Sequence, residues 1–143
     1  MIKLICTLVF TFLTLLSPGQ TKLDKGKDRI NSVCDMVMKS FPAGNIHEAM
    51  QLLKQNSILP DVNIDTLEKS LTRQMDSILS QYGRILSYEF IKETKIKGFL
   101  ARRLYILKFE KYYLTYELTI YNSASGWIIS EFNSYFGLIK GLY

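Results

Sequence analysis

The chain has 143 residues, with 18 Lys+Arg against 13 Asp+Glu for a formal charge of +5, and only 8 Gly, 3 Pro, 2 Cys and 1 His. That length fits one domain with one core, and an apolar share of 48% with 22% charged residues excludes wholesale disorder. The low Gly, Pro and Cys counts exclude collagen-like and disulfide-rich chains. One His and two Cys leave no usual zinc set, so neither a metal nor a cofactor is expected.

Met1 to Gln20 reads MIKLICTLVFTFLTLLSPGQ. Lys3 is followed by an apolar run from Leu4 to Leu16 broken only by threonines, then by Ser17, Pro18 and Gly19. A basic start, a short apolar middle and small residues at a cut site are the layout of a secretory signal peptide. The expectation is a signal at 1–19 cleaved between Gly19 and Gln20, and a secreted or periplasmic protein. The rival reading, a retained anchor, would need roughly 20 apolar residues to span a bilayer, so no integral membrane span is expected after cleavage. Cleavage would also remove Cys6 and leave Cys34 alone, either as a buried thiol or as a bridge between two copies.

Residues 20–27 are polar and read as a flexible mature N-terminus, followed by a single domain over 28–143. Ile30, Val33, Val37 and Phe41 recur at helical spacing and predict a helix over 28–40. Pro42, Ala43 and Gly44 end it. Asn45, with Glu48 three residues on, resembles a capping box. Ile46, Ala49, Met50 and Leu53 give the next helix its apolar face, and 56–63, with Pro60, reads as a connection. Asp65 and Glu68 suggest the start of a long helix. Ile64, Leu67, Leu71, Met75, Ile78 and Tyr82 form its stripe, and Gly83 stands where a left-handed cap belongs.

The periodicity then changes to two. Leu86, Tyr88 and Phe90 alternate with Ser87 and Glu89, and Leu114, Tyr116, Leu118 and Ile120 with Tyr113, Thr115, Glu117 and Thr119. Residues 100–110 are apolar on both parities after Arg103, and 127–135 forms the last strand, after a five-residue loop at 122–126. The fold class is therefore α+β: N-terminal helices packed on one face of a curved four-stranded antiparallel meander. All but one of the aromatic residues after Gln20 lie between Tyr82 and Tyr143. Either a curved sheet encloses a pocket, or its outer face meets a second copy to form a homodimer.

Three stretches carry a resemblance: FPAGNIHEAMQLL (41–53), DTLEKSLTRQMDSILSQYGRI (65–85) and LYILKFEKYYLTYELTIYNSASGWIISEF (104–132). Together they resemble small secreted bacterial domains of unknown function in the cystatin-like, nuclear-transport-factor-like superfamily, although Met75 stands where such domains carry Trp. The resemblance implies a cone in which a bent sheet wraps the long helix, often dimerising through the outer sheet face. It implies no activity, because that scaffold serves isomerases, dehydratases, transport factors and accessory domains alike.

His47 is the only imidazole and sits in a first helical turn, where a solvated polar residue is expected; its spacing to Cys34 argues for no nucleophile dyad. An isomerase-like base would come from Asp76, Glu89 or Glu117, with Tyr82, Tyr88 or Tyr116 as donors. Those carboxylates fall on polar faces, where a tuned pKa is not expected. No Gly-rich phosphate loop, GxSxG, HExxH or EF-hand pattern occurs. The leading expectation is a non-catalytic binding or interaction domain. Its sharper form is a pocket for a small apolar ligand between long helix and sheet, lined by Leu71, Met75, Tyr88, Phe90, Tyr116 and Trp127. Alternatives are an isomerase- or hydrolase-like enzyme and an envelope adhesion domain. The latter would use Lys92, Lys95, Lys97, Arg102 and Arg103 around Gly98 to meet an anionic envelope surface. A secreted address argues against nucleic acid as the partner.

Overall fold

In the computed structural model, which describes residues 25–136, three helices precede a four-stranded antiparallel sheet. The helices are α1 (Lys25–Ser40), α2 (Ile46–Asn56) and α3 (Asp61–Tyr82). The strands are β1 (Ile85–Lys97), β2 (Leu100–Phe109), β3 (Tyr113–Ser123) and β4 (Gly126–Phe136), in spatial order β1-β2-β3-β4. The fold is the expected α+β meander with its helices on one face. The expected signal segment and cut site lie outside the described residues.

Each helix buries the stripe its spacing foretold. Ile30, Val33, Val37 and Phe41 are buried, joined by Cys34 and Met38; Ala49, Met50 and Leu53 follow from α2, and Ile64, Leu71, Met75 and Ile78 from α3. They pack onto Tyr105, Leu107 and Phe109 of β2 and onto Leu114, Tyr116, Leu118 and Ile120 of β3. Phe41 anchors α1 to the middle of the sheet, 5.2 Å from the Tyr116 ring and 6.5 Å from that of Phe132.

Two helix starts differ from expectation. α1 begins at Lys25, inside the stretch expected to be flexible, and Lys27 in its first turn forms an ion pair with Glu93 of β1. α3 begins at Asp61, a full turn before Asp65, with Pro60 at the N-cap. The fixed φ of Pro60, −59°, sets up the turn without a capping side chain. Asp65 therefore lies within the helix and pairs with Lys54 of α2 at 2.6 Å. The Asn45 cap forms as expected: the Glu48 backbone N–H donates to Asn45 Oδ1 at 3.1 Å, and the Asn45 amide donates back to the Glu48 carboxylate at 2.9 Å.

The strands show two further differences. β1 carries register shifts at Ile85/Ser87, Phe90/Lys92 and Lys95/Lys97, and each extra residue breaks the two-residue alternation. Leu86 is consequently exposed rather than core-facing. The β3–β4 loop is shorter than expected, because Ser123 pairs with Gly126 and leaves a two-residue turn. Ser57 and Ile58 run along the β4 edge, where the Ile58 N–H donates to the Ile129 carbonyl at 3.0 Å.

Gly83 joins α3 to β1 with φ +83° and ψ −168°, a region essentially restricted to glycine. A Cβ there would stand 2.3 Å from Glu110 Oε2. Glu110 sits so close because it accepts from the Arg84 backbone N–H at 3.0 Å and from the Arg84 guanidinium at 3.1 and 3.2 Å. Gly83→Ala should therefore lower stability by about 1–3 kcal/mol, read as a reduced denaturant midpoint in urea unfolding of the full chain. An unchanged midpoint would show that the junction relaxes freely.

Candidate functional site

The densest polar constellation lies where α1 crosses β1 and β2. Arg103 and Tyr105 are two residues apart on the helix-facing side of β2, and Glu93 is the cross-strand partner of Arg103 on β1. Lys27 and Asp35 reach down from α1, about two turns apart. Arg103, only 6% exposed, donates from Nε to the Tyr105 hydroxyl at 2.9 Å, from one terminal nitrogen to Glu93 at 2.9 Å and from the other to Asp35 at 3.2 Å. The Tyr105 hydroxyl donates in turn to Asp35 at 2.6 Å. Lys27 pairs with the second Glu93 oxygen, and the Phe90 ring lies 4.4 Å from the Arg103 guanidinium carbon.

The electrostatics follow from this geometry. Burial pushes the Glu93 carboxyl up, but the hydrogen bonds from Lys27 and Arg103 outweigh it and hold its pKa below the ordinary carboxylate value. Burial likewise works against the Arg103 charge, yet Tyr105 and Asp35 leave its pKa raised. Burial, then the bond to Asp35, pushes the Tyr105 hydroxyl well above its usual range. Cys34, buried beside this group, is pushed up to about 12, chiefly by burial. A thiol so protonated is a poor nucleophile. His47 is exposed and bonded to Glu68 at 2.8 Å, so it forms no dyad with Cys34.

Asp35 and Tyr105 are the carboxylate and hydroxyl in contact that an isomerase-like site would need, and neither is among the acid–base residues expected from the sequence. Both are held by Arg103, however. The hydroxyl accepts from Arg103 while donating to Asp35, and the guanidinium already serves three acceptors. The cluster behaves as a latch between helix and sheet. Arg103→Met should cost about 3 kcal/mol, the lower end for breaking a buried pair, because Lys27 stays with Glu93. The stabilisation tied to ionised Glu93 is complete above its ordinary value of 4.5 and is lost as pH falls through the lower folded value. Glu93→Gln should remove this acid-side loss from a series of urea unfolding curves, and a pH profile matching the parent would refute the assignment.

The residues expected to line a pocket fall into two groups. Leu71, Met75, Tyr116 and Trp127 are buried within the core, and Tyr88 packs against it half-buried. Phe90 is 45% exposed and lies beneath Arg103. None of the six borders the described grooves. Of the basic group, Lys95, Lys97 and Arg102 are exposed and Lys92 is half-buried, whereas Arg103 is buried and paired and so is no part of an anion-facing surface. Its parity with Tyr105, Leu107 and Phe109 was the available signal.

A concavity with largely apolar walls lies on the other side of the sheet. Glu89 and Ile91 of β1, Ile106 and Lys108 of β2, and Tyr112 and Tyr113 beyond them border a groove of about 470 Å³. Glu89 and Lys108 face each other at 3.8 Å. Three tyrosines form a ladder beside it: Tyr82 stacks on Tyr112 at 4.7 Å, and Tyr112 on Tyr113 at 5.3 Å. Thr115, the cross-strand neighbour of Ile106, is 2% exposed, and its hydroxyl has no partner among the described residues. Among the described residues no three His, Cys, Asp or Glu side chains converge as a metal would require, and no helix is long and apolar enough to cross a membrane. The chain matches no protein-family model, no curated protein and no solved structure.

Proposed function

We propose that this chain is an exported, non-catalytic binding domain whose recognition site is the outer-face groove, in place of the expected space between long helix and sheet. The observation that carries this reading is the groove itself. Its volume lies within the range of small-molecule sites, and its apolar walls carry a few converging polar groups. Ile91, Ile106 and the Tyr112–Tyr113 stack would take a flat apolar ring, with Glu89 and Lys108 available to a polar substituent. Export rests on the sequence of residues 1–20. The cystatin-like resemblance supports the same division of faces, with helices covering one side of the sheet and the other left for binding or for a second copy.

The enzyme reading has one contact in its favour, Asp35 with Tyr105, but a substrate would first have to displace Arg103 from both. The groove has no comparable requirement. Tyr113→Ala and Ile106→Glu should each weaken binding of the uncharged aromatic probe N-phenyl-1-naphthylamine to the full chain about tenfold, the scale of a lost aromatic contact plus its buried area. Tyr88→Ala, on the helix-facing side, should leave it within about twofold. Equal binding by all variants, measured by fluorescence titration, would sink the proposal. A dimer by native mass spectrometry that Tyr113→Ala converts to monomer would replace the ligand with a second copy.

A further inference from the structure

We infer that the pole formed by the β1–β2 and β3–β4 turns docks on an anionic phospholipid bilayer, a surface distinct from the groove. Lys97 pairs with Leu100, so Gly98 and Phe99 form the tip of the first hairpin. Phe99 is 51% exposed there. Its carbonyl accepts from the Asn122 N–H at 2.8 Å, and its ring meets Tyr121 edge-on at 6.1 Å. Ile96, the extra residue of a β1 register shift, is exposed beside it. Lys95, Lys97 and Arg102 surround these apolar side chains, all exposed.

The first turn of α1 adds to the same pole. Arg29 donates to the Trp127 carbonyl at 3.4 Å, and Lys27 lies 5.6 Å above the Trp127 ring, one residue from the β3–β4 turn. Lys25 and Arg29 are exposed there, opposed by Asp28. Glu93, the nearest carboxylate on β1, is committed to Lys27 and Arg103. The pole therefore combines an excess of positive charge with a projecting aromatic ring.

Charge complementarity selects an anionic surface, and Phe99 with Ile96 selects a bilayer over a soluble polyanion. Basic side chains gain from anionic headgroups while apolar ones enter the boundary beneath them; a soluble polyanion has no apolar layer to receive a ring. The chain also enters α1 at this pole.

The test uses the full chain and cosedimentation with phosphatidylglycerol–phosphatidylcholine vesicles and with pure phosphatidylcholine. Every variant keeps the apolar N-terminal run, so its contribution cancels. Lys97→Glu with Arg102→Glu should weaken binding to the anionic vesicles by at least about tenfold. Lys69→Glu with Arg73→Glu, exposed on α3 and equal in net charge, should stay within about twofold. Phe99→Ser should weaken the binding that survives high salt, and Phe99→Trp should show a blue-shifted emission on adding vesicles. Equal losses for both charge pairs, an unshifted Phe99→Trp emission, or tighter binding to heparin than to vesicles would each overturn the proposal.

Discussion

The position of α1 depends on one buried guanidinium. Apolar contacts hold the helix against the sheet but tolerate sliding along it, since Ile30, Val33 and Val37 would meet apolar neighbours in several registers. Arg103 does not tolerate sliding. Its three acceptors come from β1, β2 and α1, and a shift of α1 by one turn would take Asp35 from the guanidinium and the Tyr105 hydroxyl, and Lys27 from Glu93. Such a cluster adds little net stability over an apolar core, but it strongly penalises alternatives. It also engages the most enzyme-like pairing among the described residues, Asp35 with the Tyr105 hydroxyl, in holding the helix.

Much of the architecture is legible because it rests on periodicity. The stripe from Ile64 to Tyr82 and the Asn45–Glu48 cap are local patterns, and each forms where the residues place it; β3 instead buries Thr115 and Thr119 along with Leu114 to Ile120, and Gly83 ends α3 at positive φ but with an extended ψ in place of a left-handed cap. The failures share a cause in contacts between distant residues. Lys25–Lys27 look like a loose terminus until Lys27 meets Glu93, 66 positions later. Asp35 and Glu93 look like solvent charges until Arg103 turns inward between them. Leu86 follows the alternation in sequence and loses it to a bulge. The groove is illegible for another reason: Ile106 and Tyr113 stand on different strands, and no count along one strand shows that neighbouring outward residues converge.

The two proposed surfaces occupy opposite ends. Tyr82, Arg84 and Glu110 bind the end of α3 to the β2–β3 turn, beside the tyrosine ladder. The β1–β2 and β3–β4 turns lie a strand length away, since a meander alternates its turns between two ends. A domain seated on a bilayer by Phe99 would therefore hold the groove away from the membrane. The two sites neither compete for residues nor share an element end.

The topology also dictates an order of assembly. Every strand pairs with its neighbour in sequence, so the meander closes by short loops, which is kinetically cheap. The latch is the opposite case, because Asp35 and the Tyr105 hydroxyl are 70 residues apart. During synthesis from the N-terminus, α1 emerges first and carries its apolar face and Asp35 without partners until β2 has followed. The helical half therefore cannot mature as an independent unit, and the chain acquires its native core late and together, with α1 the segment longest exposed to aggregation or to a holding chaperone.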